Sequence, residues 1–194
     1  MVVQRNFLMT ALGMSLLFTP ASLASDDTAA ASRTETGTVR TLSEFPIPSQ
    51  SIVLPVSVAD AWEAFTTSEG YSSWAAPFAV IDFRVNGTIE ASYAEGAQAG
   101  DPGNIVISIP AYLPERLIVL KTVQAPPGFA SPELLDRLVS VVEFEALSPT
   151  TSRVTLSAVG YTESEDEMRS GFLQANAWAL GQLHAYLANS DVAE

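Results

Sequence analysis

Between Phe78 and Tyr161 the chain returns again and again to one kind of segment: short, β-branched, and bounded by Pro, Gly or Ser. The rhythm then changes. Residues 165–189, "EDEMRSGFLQANAWALGQLHAYLAN", carry apolar side chains at helical spacing, with Met168, Phe172, Ala175, Ala179, Leu183 and Tyr186 on one stripe. Glu163, Glu165, Asp166 and Glu167 crowd the start of that stripe, where a helix dipole favours negative charge. A run of antiparallel strands closed by one long amphipathic helix has few ways to fold. The sheet must bury one face and the helix its stripe, so each covers the other in an α+β layer arrangement.

The rest of the chain fits that frame. "SIVLPV" opens the domain as a strand near Ile47. Ser57 followed by Asp60 is a capping-box variant and starts a helix whose buried face holds Val58, Ala61, Trp62 and Phe65. "TTSEG" ends it and supplies Ser68 as the cap of a second short helix, which Pro77 stops beyond Trp74. Tyr71 is expected as an exposed residue in the turn between them. In "FAVIDFRVNGTIEASY" the period is two: Ile81, Phe83 and Val85 alternate with Asp82 and Arg84, and Asn86-Gly87 predicts a two-residue type I′ hairpin. "IVISI", "RLIVLKTV", "LVSVVEFEAL" and "SRVTLSAVGY" follow as strands. A small helix over "SPELLDRL" is predicted by Ser131 as cap and Pro132 at its first position.

Ahead of the domain, Arg5, the apolar run from Phe7 to Phe18 and "ASLAS" form a secretory signal with cleavage expected after Ala24. The apolar run is too short to serve as a stable membrane anchor, so a periplasmic or secreted location is expected. Residues 25–44 are polar and aperiodic, and are expected to be a flexible leader to a domain spanning 45–190. Removing residues 1–24 leaves 22 acidic against 8 basic side chains, a formal charge of −14. That balance disfavours nucleic acid and anionic membrane surfaces as partners. With no cysteine, stability must come from the core alone, and with one histidine, His184, a zinc site of common type is excluded. No cofactor is called for, and no oligomeric state can be read.

Four stretches together resemble one family. "VSVADAWEAFTTSEGYSSWAAP" (56–77), "DFRVNG" (82–87, with Asn86 where a glycine is usual), "PERL" (114–117) and "NAWALGQL" (176–183) stand in the order found in the START-like (SRPBCC) superfamily. They are similar to its branch related to the C-terminal domain of the Hsp90-ATPase activator, over roughly residues 45–190. The resemblance implies a helix-grip fold: a curved antiparallel sheet of about six to seven strands around the long C-terminal helix, with two short helices after the first strand. It also implies a cavity between sheet and helix, used in the family for lipids, sterols, polyketides or hormones, by a few cyclases and hydrolases, or left aside where the outer face binds a chaperone. Fold alone does not choose among these.

The expected ligand is therefore a small hydrophobic molecule, and the candidate cavity residues come from every part of the domain. Trp62, Phe65 and Trp74 bring rings from the short helices; Phe83, Tyr93, Tyr112, Phe144 and Tyr161 bring rings from the strands; Phe172, Asn176 and Leu180 line the long helix. Each ring has core packing as its plain alternative. Asn176 sits between Phe172 and Leu180 on the apolar side, where an amide needs a partner. Either a strand carbonyl or buried water satisfies it, or it orients a ligand's polar end. An enzyme would have to use Asn176, a cavity tyrosine or His184, the last placed at the edge of the stripe as a general base or a plain surface residue. Glu143 and Glu145 flank Phe144 and face water if Phe144 faces the helix; the other reading is an acid–base pair. "GDPGN" (100–104) lacks the lysine and helix of a phosphate cradle, and no G-x-S-x-G supplies a nucleophile, so no catalytic residue is assigned.

Overall fold

The computed structural model describes residues 36–190, and the signal-peptide expectation for residues 1–24 lies outside them. Eight strands form one antiparallel sheet in the order β1-β2-β8-β7-β6-β5-β4-β3. They are β1 (Arg40–Ser43), β2 (Ser49–Leu54), β3 (Phe78–Ile81), β4 (Thr88–Ser92), β5 (Ile105–Leu113), β6 (Leu117–Gln124), β7 (Val139–Ser148) and β8 (Thr151–Val159). Helices α1 (Val58–Thr66) and α2 (Ser68–Trp74) follow β2, α3 (Pro132–Arg137) precedes β7, and α4 (Asp166–Ser190) closes the chain. This is the α+β helix-grip arrangement, with one strand more than expected.

The additional strand is β1, inside the segment expected to be leader. It pairs with β2 through Arg40↔Ser51 and Thr41↔Gln50, and Gly37 N–H extends the contact to the Val53 carbonyl. The edge of β2 offers unpaired backbone groups, and a weakly patterned segment can satisfy them without apolar alternation of its own.

Local signals set the helix starts. The Ser57 side chain accepts from Asp60 N–H while Asp60 answers to the Ser57 N–H, a complete capping box. Ser131 caps α3 in the same position relative to Leu134. For α2 the cap is Thr67, not Ser68: its hydroxyl accepts from Gly70 N–H, and Ser68 instead accepts from Ile81 N–H. Tyr71 is accordingly a residue within α2, packed against the core rather than exposed in a turn.

The hairpin after β3 also differs from expectation. Ile81 pairs with Ile89, so residues 82–87 form a six-residue connection instead of a two-residue turn. Asn86 takes the left-handed conformation (φ 61°), but its N–H and the Gly87 carbonyl bond to Ile109 of β5. That non-local pairing at a bulge in β5 draws the chain off the hairpin axis. Gly87 is required there, since a Cβ would lie 2.0 Å from the Asp82 carbonyl oxygen.

One sheet face carries the core: Ile52 and Leu54 (β2), Val154 (β8), Val142 and Phe144 (β7), Ile118 (β6), Ile109 (β5) and Ile89 (β4). Against it pack Ala61, Ala64 and Phe65 of α1, Trp74 of α2, and Leu180, Leu183 and Leu187 of α4. The buried side of α4 thus runs through Leu180, Leu183 and Leu187, while Met168 and Ala175, expected on it, face solvent. The helix meets the core through its C-terminal half, and the packed neighbours there set its rotation.

A clasp fixes the entry to α4. Arg137 at the end of α3 donates to the Gly160 carbonyl and pairs with Glu165, which also accepts from Thr162 N–H. The Arg137 guanidinium and, behind it, that backbone bond hold the Glu165 carboxyl down at about 2, against an ordinary 4.5. Because the folded value is depressed, its stabilising effect is complete above about pH 4.5 and is lost as pH falls toward 2. Melting temperatures of the native chain and of Glu165→Gln are therefore expected to differ at neutral pH and to converge near pH 2. A gap of unchanged size at acid pH would show that the charge is not its source.

Candidate functional site

Seven rings meet where α1, α2 and the sheet converge. Capping at Ser57 sets the phase of α1 so that Trp62 and Phe65, three residues apart, both point to the sheet. Trp62 meets Phe144 edge-on at 5.2 Å and Phe83 at 5.5 Å, with Tyr112 at 6.3 Å. Phe65 meets Phe144 at 5.2 Å and Trp74 at 4.8 Å, Tyr71 adds a ring 5.4 Å from Trp74, and Phe83 lies 4.8 Å from Tyr112. These are the offset and edge geometries that aromatic quadrupoles favour.

Burial divides the network in two. Phe65, Trp74 and Phe144 are buried, and the Trp74 indole N–H donates to the Ala64 carbonyl at 2.9 Å, so this part is core. Trp62, Phe83 and Tyr112 are only half-buried and form the open side of the network. Tyr71, passed over as an exposed residue, is partly buried and packs on Trp74 of the closed side; its spacing of three from Trp74 on one helix was the available signal. Burial, with the neighbouring Tyr93, pushes its phenol up to about 12, so it is neutral at any physiological pH.

The other candidate residues are distributed as follows. Tyr161 and Phe172 form a separate pair, 6.0 Å apart, at the start of α4. Tyr93, beyond the end of β4, is 62% exposed and stands at the rim of the network, beside Tyr71. Leu180 is fully buried, and one turn before it Asn176 holds a buried Nδ2 with no hydrogen-bond partner. An amide N–H buried without an acceptor is unusual and costly.

The groups open to an acid–base reading are engaged otherwise. His184 is half-buried beneath Gly37, whose backbone comes so close that a Cβ there would stand 2.8 Å from the imidazole. Gly37 also has φ +83°, so only glycine suits the position. Glu143 and Glu145 face solvent, and Glu145 pairs across the strands with Arg153. The "GDPGN" loop is a structural turn: Asn104, fully buried and not singled out in the sequence, donates to the Glu90 side chain and the Gln98 carbonyl, both at 2.7 Å. Among the described residues no group of three or more His, Cys, Asp or Glu could hold a metal ion, and no helix is long and apolar enough to cross a membrane.

Two cavities border the helices. One, about 370 Å³, lies between α1, α2 and the end of α4, with Asp60, Glu63 and Glu69 at its wall and Tyr186 and Leu187 behind them. The larger, about 600 Å³, lies between the first half of α4 and the β1–β2 edge. Neither is lined by the seven rings.

A family model described as activator of Hsp90 ATPase homolog 1-like protein matches residues 55–188. No curated protein matches. Among solved structures, the chain is similar to a solution structure titled as the Aha1 dimer from Colwellia psychrerythraea, at 16% identity and TM-score 0.59, over 73% of this chain and 95% of that one. A protein from Arthrobacter aurescens gives 16% and 0.59 over 78% and 91%. One from Staphylococcus saprophyticus gives 15% and 0.58 over 74% and 93%. At such identities the likeness is one of fold.

Proposed function

Since the chain belongs to the activator of Hsp90 ATPase homolog 1-like family, whose fold supports a ligand-binding or interaction module, we propose that it binds a small hydrophobic molecule between the sheet and α4, outside the cytoplasm. Trp62, Phe83 and Tyr112 receive the apolar body, and Phe65, Trp74 and Phe144 hold those rings in place from behind. The observation that carries this reading is Asn176: a buried donor without a partner, on the apolar side of α4, fits an acceptor at the polar end of a guest. Export is supported by the Arg5, Phe7–Phe18 and "ASLAS" pattern.

Binding of a fluorescent fatty acid such as cis-parinaric acid to the purified mature chain tests it. Trp62→Ala is expected to weaken binding by about ten- to a hundredfold, the equivalent of removing roughly 1.5–3 kcal/mol of ring burial. Asn176→Leu is expected to weaken binding of the acid but not of its hydrocarbon counterpart, because only the former has an acceptor to lose. Failure of the native chain to take up the probe, with no lipid in organic extracts of native protein by mass spectrometry, would overturn the reading. A mature N-terminus at Ser25 in a periplasmic or culture fraction is expected; a chain retaining Met1 in the cytoplasm would refute export.

A further inference from the structure

The groove of about 600 Å³ beside α4 is a second, separately built site. Its volume lies within the range that small-molecule sites occupy. Gln50 of β2 lines it and is only 5% exposed. The Gln50 Nε2 donates to the Thr41 hydroxyl at 3.2 Å, but its Oε1 is buried with no partner. A buried amide oxygen without a donor is costly, so this position calls for a donor from outside the chain.

The nearby cationic donor of the chain is already committed. Arg169, also in the groove, has a side chain only 12% exposed; it donates to the Thr162 carbonyl at 2.6 Å, pairs with Asp166, and lies over the Phe45 ring at 4.9 Å. Asp166 therefore balances Arg169, and Glu44, exposed at the groove, is left as its net charge. Leu173 and Ala177 give the α4 side an apolar surface. Thr41, Ser170 and Gln174 complete the polar wall, and its one surplus carboxylate favours a cation over an anion.

We propose that this groove binds a small amine-bearing molecule, an amino sugar or a short polyamine. Its N–H or O–H groups reach Gln50 Oε1, Glu44 supplies the opposing charge, and Leu173 and Ala177 meet its carbon skeleton. The site is independent of the ring network and of the hydrophobic guest.

Titrating glucosamine and spermidine into the isotope-labelled mature chain, and following the Gln50 side-chain amide and the Ala177 backbone amide by NMR, tests this. Saturable shifts are expected with at least one amine and not with glucose. Gln50→Leu is expected to lower affinity about tenfold, and Glu44→Gln to lower it several-fold while flattening its salt dependence. Ala177→Met fills the groove from the solvent-facing flank of a helix; it is expected to abolish binding with an unchanged fold, which covers the case in which Gln50→Leu does not fold. Absence of saturable shifts with both amines, equal binding of glucose, or undiminished affinity in Ala177→Met would each overturn the proposal.

Discussion

Replacing Leu183 with alanine is expected to cost about 3–5 kcal/mol of unfolding free energy, a large share of the roughly 5–15 kcal/mol that holds a domain folded. Leu183 is fully buried and, with Leu180 and Leu187, is how α4 holds to the sheet. Its truncation removes the transfer free energy of the lost carbons and leaves a cavity between helix and sheet that a rigid eight-stranded layer cannot close. For a domain of about 150 residues, that corresponds to a fall in melting temperature of roughly 10 °C. Gln182, its exposed neighbour, provides the control: Gln182→Ala is expected to change stability by no more than about 0.5 kcal/mol. Urea unfolding followed by circular dichroism measures both. Similar losses in the two variants would mean that α4 is not oriented as described.

Trp74→Ala carries the second large effect, about 3–5 kcal/mol. Two separate contributions are lost. The indole fills the space between Phe65 and Tyr71, and its N–H satisfies the Ala64 carbonyl, in the last turn of α1 where carbonyls lack helical partners. Trp74→Phe separates them. It retains a ring in place but leaves the Ala64 oxygen without its donor, which is expected to cost about 1–3 kcal/mol. If Trp74→Phe proves neutral, the hydrogen bond contributes nothing and the ring's volume accounts for the whole. Tyr71 gives an internal reporter, since its phenol should shift downward from about 12 once the packing over it loosens.

The candidate site was legible in unequal parts. The ring-rich stretch 56–77 announced an aromatic cluster, and the structure brings Trp62, Phe65, Trp74, Phe83, Tyr112 and Phe144 into one. Which of them are core and which stand open was not legible, because burial depends on what the opposing strands bring. Tyr93 illustrates the limit: alternation in β4 says which face a residue takes, but not that the sheet's covered area ends before it. Gln50 had no sequence signal at all. A glutamine in a half-polar strand looks ordinary until β1 and α4 close over it.

Most of what is decided within a few residues was determined by the sequence alone. The Ser57–Asp60 box, the Ser131–Pro132 start, the stop before Pro77 and the alternation of the strands all follow from bonds and contacts between near neighbours, whose geometry does not depend on the rest of the fold. Tertiary structure decided what depends on distant partners. Ile109 drew Asn86 and Gly87 out of a tight hairpin, the open edge of β2 recruited residues 40–43, and Leu180, Leu183 and Leu187 set the rotation of α4 so that Met168 and Ala175 turned outward. In each case a long-range hydrogen bond or a buried apolar contact outweighed a local preference worth only a fraction of a kcal/mol per residue.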